Sequence, residues 1–216
     1  MKKNIILIPA LNEEKNIKNI ILKFKKFGKI VVIDDGSKDN TYKLAKEVAD
    51  IVIKNDKNLG YDQSLKKGIR FIIKKFPNSF SILTADADNQ HKEEYIPIFQ
   101  KLIKKYDVLV GCRNFYNRKI EEKISSHCFA HYKIKDPLTG FKCYKMTMLK
   151  KNMRFIKNNF NYYGMFFLVW LKDTNIKNIN IIVNKRKNTS RMNKINNINR
   201  EFFKSYISII NSINAI

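Results

Sequence analysis

The sequence predicts an α/β fold, a mostly parallel sheet covered by helices on both faces, with one further helix at the C-terminal end. Three observations predict it. Apolar runs of strand length recur, segments with apolar residues at helical spacing alternate with them, and carboxylates, amides and glycines gather just after the runs. Such alternation implies right-handed crossovers and a sheet buried on both sides. The 216 residues suffice for one domain of this kind.

Asn4-Ile5-Ile6-Leu7-Ile8, closed by Pro9, reads as a buried parallel strand. Asn12 is expected to cap a helix from Glu13 to Phe27, with Ile17, Ile20, Ile21, Phe24 and Phe27 on one face and Gly28 as its stop. Lys29 to Ile33 is the second strand, and the loop Asp34-Asp35-Gly36-Ser37-Lys38-Asp39-Asn40-Thr41 opens the second helix. Strands over 51–54, 79–84 and 107–111 then alternate with helices over 62–75 and 93–105. In such a sheet, function belongs at the carboxyl ends of the strands. Asn12 and Glu13, Asp34 and Asp35, Asp56 to Gly60, and Asp86 and Asp88 all fall there.

Asp86 and Asp88 close the fourth strand at i and i+2, so both carboxylates point to one side of the backbone. Mg²⁺ or Mn²⁺ takes one or two carboxylates, keeps waters and completes its shell with substrate phosphate oxygens. A diphosphate-bearing substrate is therefore expected. Neither Gly-x-x-x-x-Gly-Lys nor Gly-x-Gly-x-x-Gly occurs, so metal and basic side chains must hold the diphosphate. A carboxylate ending strand two can accept from a base N–H or a ribose hydroxyl, and Gly36 and Gly60 allow close backbone approach.

The formal net charge is +24, and after Asp136 fifteen lysines and arginines face two acids, Asp173 and Glu201. Such a surface suits phosphorylated small molecules, anionic lipid or nucleic acid. Three cysteines without Cys-x-x-Cys spacing, Cys112, Cys128 and Cys143, fit reduced thiols and exclude a disulfide framework or structural zinc. No window approaches the roughly 20 apolar residues of a membrane span. A cytoplasmic protein is expected, with peripheral contact on the cytoplasmic face of the membrane as one option. Phe160 to Leu171 is the most aromatic stretch and reads as core. Glu201 to Ile213 has helical apolar spacing behind a basic run, a pattern that serves equally for an interfacial helix and for one packed on protein. His127 and His131, one helical turn apart, read as a partly exposed pair, and His91 follows the metal loop.

Six segments in order carry a family resemblance: Ile8-Pro9-Ala10-Leu11-Asn12-Glu13-Glu14, Val32 to Thr41, Asn58-Leu59-Gly60, Asp86-Ala87-Asp88-Asn89-Gln90-His91, Gly111-Cys112-Arg113 and Asp136-Pro137-Leu138-Thr139-Gly140-Phe141. They resemble the family 2 glycosyltransferases of GT-A fold, whose nucleotide-binding sheet is Rossmann-like. Among these, they are similar to the dolichol- or polyprenyl-phosphate mannosyl and glucosyl transferases. The resemblance implies a domain over 1–184, followed by a basic loop and amphipathic helix over 185–216.

It also implies roles. Pro9, Asn12 and Glu13, with Asp34 or Asp35 and Gly60, would bind the nucleotide; Asp86, Asp88 and Gln90 would hold the Mg²⁺ or Mn²⁺ on the sugar-nucleotide diphosphate. Arg113 would lie near the sugar and acceptor phosphate, and Asp136 would face sugar or acceptor. Arg186, Ser190 and Arg191 resemble a late element that clamps phosphates. The implied reaction is inverting transfer from a GDP- or UDP-sugar to a polyprenyl phosphate. A phosphate nucleophile is already ionised, whereas a glycan or lipopolysaccharide hydroxyl, the alternative acceptor, needs a base, for which Asp136 is the candidate. Only 22 residues separate Arg113 from Asp136, short for a pair of acceptor-side helices. An alternative of another class is a basic nucleic-acid-binding module. Carboxylates crowding the strand ends oppose it, and no nucleic acid partner is expected.

Overall fold

The computed structural model describes residues 4–116, 118–156, 174–184, 200, 203–204 and 206–207. Alternation along the first strand, β1 (Ile5–Ala10), sets the layering. Ile5 and Leu7 face one side, where they pack with Leu65, Ile69 and Ile72 of α3 (Tyr61–Lys75). Ile6 and Ile8 face the other, against Ile17, Ile20, Ile21 and Phe24 of α1 (Ile17–Lys25). Each such side chain, taken out of water, contributes about 1.5–3 kcal/mol. The second strand, β2 (Lys29–Asp34), divides in the same way, Val31 and Ile33 to one core and Ile30 and Val32 to the other.

After β2 come α2 (Thr41–Val48), β3 (Ile51–Lys54), α3, β4 (Ser81–Thr84), a 3₁₀ turn (Glu93–Tyr95) and α4 (Ile96–Leu102). The chain continues through β5 (Val108–Arg113), α5 (Lys119–Tyr132), β6 (Lys142–Lys145), α6 (Met146–Lys151), α7 (Met153–Ile156) and β7 (Ile176–Ile181). Among the described residues the sheet runs β3-β2-β1-β4-β6-β5-β7. The pairs are parallel except those of β6, which lies antiparallel between β4 and β5. The expected mostly parallel sheet with helices on both faces is present; the reversed strand was not anticipated. Because β6 runs backward, the loop that feeds it, 136–141, arrives at the carboxyl ends of β4 and β5. There it meets the loops after β1, β2, β3 and β4.

Three elements differ from the expected bounds. The first helix starts at Ile17, not Glu13, because Asn12 has a positive φ of 49° and spends its side chain on the neighbouring loop, whose Lys38 N–H donates to Asn12 Oδ1 at 2.9 Å. Asn12 is thus a loop clasp and not a helix cap. Pro9 does not close β1, which runs on to Ala10. Leu7 and Pro9 share parity; the Leu7 carbonyl accepts from Ala85 N–H, and Leu7–Thr84 is the last β1–β4 pair, so Pro9 lacks its N–H where no ladder bond is required. The expected helix over 93–105 is split into the 3₁₀ turn and α4, with Pro97 in the first turn of α4.

Candidate active site

The sheet changes direction of progression at β1, with β2 and β3 on one side and β4 on the other, which opens a crevice at the carboxyl ends of β1 and β4. On the β2 side the loops are knitted together. Asn12 N–H donates to Ser37 Oγ at 2.9 Å and Glu13 N–H to Thr41 Oγ1 at 2.7 Å. Asp35 accepts from Asn55 Nδ2, Leu59 N–H and Gly60 N–H at 2.8–2.9 Å, so its carboxylate shapes the β3–α3 loop, where Gly60 takes a φ of 88°. Asn55 is itself buried and held by Lys67.

Asp34 is different. Its side chain is fully buried, Ser37 N–H donates to Oδ2 at 3.3 Å, and Oδ1 has no hydrogen-bond partner among the described residues. Burial raises its pKa, against the hydrogen bonds from Ser37 and the charge of Lys54. A buried acceptor without a partner costs about 1–3 kcal/mol, and such a cost at the crevice marks a place where a ligand N–H fits. Pro9, Asn12, Glu13, Asp34, Asp35 and Gly60 thus gather on this side.

On the β4 side, Asp86 and Asp88 are half-buried around the buried Ala87. Several groups set Asp86. Its N–H donates to His91 Nδ1 at 3.2 Å, which leaves the ring proton on Nε2, 3.9 Å from Asp86 Oδ2. The Tyr61 hydroxyl bonds the Asp86 carboxylate, and burial together with that charge raises the Tyr61 pKa. A Cβ at Gly140 would overlap the carboxylate, so Asp86 rests on bare backbone there. Asp88 Oδ1 accepts from Gln90 N–H, while Gln90 Nε2 donates to the Asn184 carbonyl at 3.0 Å and Asn184 N–H returns a bond to the Gln90 carbonyl. The exit of β7 is therefore fastened to the Asp86–His91 loop.

At the end of β5, Arg113 grips the fully buried Asp136 through Nε at 2.8 Å, NH2 at 3.0 Å and its backbone N–H at 3.1 Å. Burial disfavours the guanidinium, but Asp136, Glu121 and Asp86 outweigh it and raise its pKa. Glu121 also binds Arg118. The 22 residues between Arg113 and Asp136 hold one helix, α5, on whose exposed side the rings of His127 and His131 lie 4.2 Å apart. Tyr206, from the C-terminal segment, packs edge-on against His127. Arg186, Ser190 and Arg191, the aromatic stretch 160–171 and most of the C-terminal helix lie outside the described residues.

The donor set decides which cation this arrangement suits. Among the described residues no three His, Cys, Asp or Glu side chains converge to cage a metal. A carboxylate-only donor set such as Asp86 and Asp88 fits an oxygen-seeking cation that keeps waters and phosphate oxygens, and does not fit structural zinc. Tyr61, Gly140 and Lys142 were not singled out from sequence as holding this machinery, whereas His91 was noted there as following the metal loop. Gly140 lies within the quoted Asp-Pro-Leu-Thr-Gly-Phe segment, its only signal.

The family model described as glycosyl transferase family 2 matches residues 5–170. A protein of Methanocaldococcus jannaschii with no assigned function is 33% identical over 176 residues, 70% of this chain and 75% of that protein. The UDP-N-acetylglucosamine–dolichyl-phosphate N-acetylglucosaminyltransferase of Methanococcus voltae is 29% identical over 179 residues, 67% of this chain and 70% of that protein. The crystal structure of glucosyl-3-phosphoglycerate synthase from Mycobacterium tuberculosis, with Mn²⁺, UDP and glucosyl-3-phosphoglycerate, superposes with a TM-score of 0.72 over 96% of this chain and 80% of that one. Its sequence identity of 16% makes this a likeness of fold.

Proposed function

This chain belongs to glycosyl transferase family 2, a glycosyltransferase of GT-A fold, and from that premise we propose that it moves a sugar, with inversion, from a nucleoside diphosphate to a polyprenyl phosphate. Asp34 Oδ1 accepts an N–H of the nucleotide base, and Asn12, Glu13 and the Gly60 loop enclose the ribose. Asp86 and Asp88, with Gln90 beside them, would hold Mg²⁺ or Mn²⁺, which when bound neutralises charge on the leaving diphosphate. Arg113 meets the acceptor phosphate, and Arg186, Ser190 and Arg191 add cationic and hydroxyl contacts to the phosphates.

The observation that carries the choice of acceptor is the state of Asp136. Both its oxygens are taken up by Arg113 in a buried pair, so the carboxylate that a hydroxyl acceptor would need as base is committed elsewhere. A phosphate oxygen needs no such base, and the relative from Methanococcus voltae is named for a dolichyl-phosphate acceptor. One observation favours the glycan hydroxyl instead, namely the single helix between Arg113 and Asp136.

The test is transfer of radiolabelled sugar from UDP- and GDP-sugars to polyprenyl phosphate, to the matching dephosphorylated polyprenol and to a glycan, in neutral and anionic vesicles. Transfer to the phosphate alone is expected, faster on anionic vesicles. Transfer to the free alcohol or to a glycan would contradict the proposal.

A further inference from the structure

We propose that Lys142 is a positioning residue that sets the two halves of the site together by holding the 136–141 loop, on which both Asp86 and Arg113 rest. The proposal builds on the reading of this site as one for sugar transfer. Lys142 opens β6, paired with Thr84 on β4 and with Val110 on β5, so its backbone is fixed between the two strand ends that carry Asp86 and Arg113. Its side chain turns back and is buried, and Nζ donates to the carbonyls of Pro137 and Thr139 at 2.8 and 2.6 Å. Those carbonyls belong to a loop with no regular ladder of its own, which its two ends put to different uses.

At one end Asp136 fixes Arg113 through three bonds. At the other, Gly140 is the floor under the Asp86 carboxylate, and Thr84 Oγ1 ties the Gly140 carbonyl at 2.7 Å. A shift of the loop by a few tenths of an ångström therefore moves donor-side and acceptor-side groups at once. Burying an ammonium is costly unless it is hydrogen-bonded and faced by opposite charge. Here Asp136, Asp86 and Asp62 supply that charge, while burial still brings Lys142 down to about 8. A leucine or methionine would fill the volume without holding either carbonyl, so the ammonium serves the loop and not the core.

The experiment compares wild type with Lys142→Met and with Lys142→Gln, the latter keeping an N–H donor on a shorter side chain in case the first fails to fold. Two readouts are taken. In backbone amide NMR of the protein alone, the signals of Asp86 and Arg113, whose N–H groups bond His91 and Asp136, are expected to shift in both variants while those of Ile6 and Val32 stay. In nucleotide titrations, the dissociation constant of UDP or GDP is expected to rise about tenfold with Mn²⁺ present and to change little without it. Lys142→Arg, which keeps charge and donors, is expected to recover the metal-dependent affinity. A folded Lys142→Met or Lys142→Gln with wild-type amide positions and affinity would overturn the proposal. If wild type itself showed no metal-dependent nucleotide binding, the proposed function would fall, and the amide shifts alone would decide the role of Lys142.

Discussion

Asp34 and Asp35 are adjacent carboxylates with opposite duties. Asp35 is saturated by the β3–α3 loop, whereas Asp34 Oδ1 is buried without a partner among the described residues. A buried polar atom that costs stability for want of a partner is a candidate for binding. Asp34→Asn is therefore expected to unfold at the same or a higher temperature than wild type, since a buried charge is removed, and to bind its nucleotide at least about tenfold more weakly. Calorimetry and titration on one preparation check both halves. Loss of stability with unchanged affinity would show that Asp34 serves the fold alone. From sequence the two were interchangeable: both end a strand, and only the hydrogen bonds from residues 55–60 tell them apart.

At the scale of elements, what was legible followed apolar content. β1, β2 and β4 bury continuous apolar runs, and α1 and α3 place isoleucines and leucines at helical spacing. β6 escaped because Lys142-Cys143-Tyr144-Lys145 is four residues long with lysine at both ends, and nothing in that pattern announces that Lys142 is buried. β7, Ile176-Lys177-Asn178-Ile179-Asn180-Ile181, is half polar and lies at the end of the strand order. Helix α3 hides a second buried lysine. Lys66 has Asp62 one turn before it and Arg70 one turn after, and burial lowers its pKa to about 8. Its unfolded value is near 10.4, so between about pH 8 and 10.4 the unfolded chain binds more protons at this site and stability rises with pH. Below pH 8 the contribution is flat and unfavourable. Urea midpoints from pH 8 to 10 should rise less steeply in Lys66→Met than in wild type; equal slopes would count against the buried ammonium.

For the molecule as a whole, the strand order explains why residues from six segments far apart in sequence meet at one edge. Parallel strands deliver their following loops to the carboxyl end, and the reversed β6 delivers its preceding loop to the same place. That much of the candidate site was visible in the chain, because polar residues cluster after apolar runs. The supports were not, because Tyr61, Gly140 and Lys142 act through contacts between elements. The charge of +24 suits anionic partners and equally a solvated surface, and marks no place for a partner. Among the described residues no helix is long and apolar enough to cross a membrane.

In the proposed function Asp86 and Asp88 bind a sugar nucleotide through a divalent cation. The measurement that tests it most directly is the thermal stability of wild type and Asp88→Asn with UDP, GDP and their sugars, with and without Mn²⁺. A ligand at a hundred times its dissociation constant adds about 2.7 kcal/mol. The expected result is a shift in wild type that requires one nucleotide and the metal together and is lost in a folded Asp88→Asn. No metal-dependent shift with any nucleotide, or a shift that survives Asp88→Asn, would contradict it.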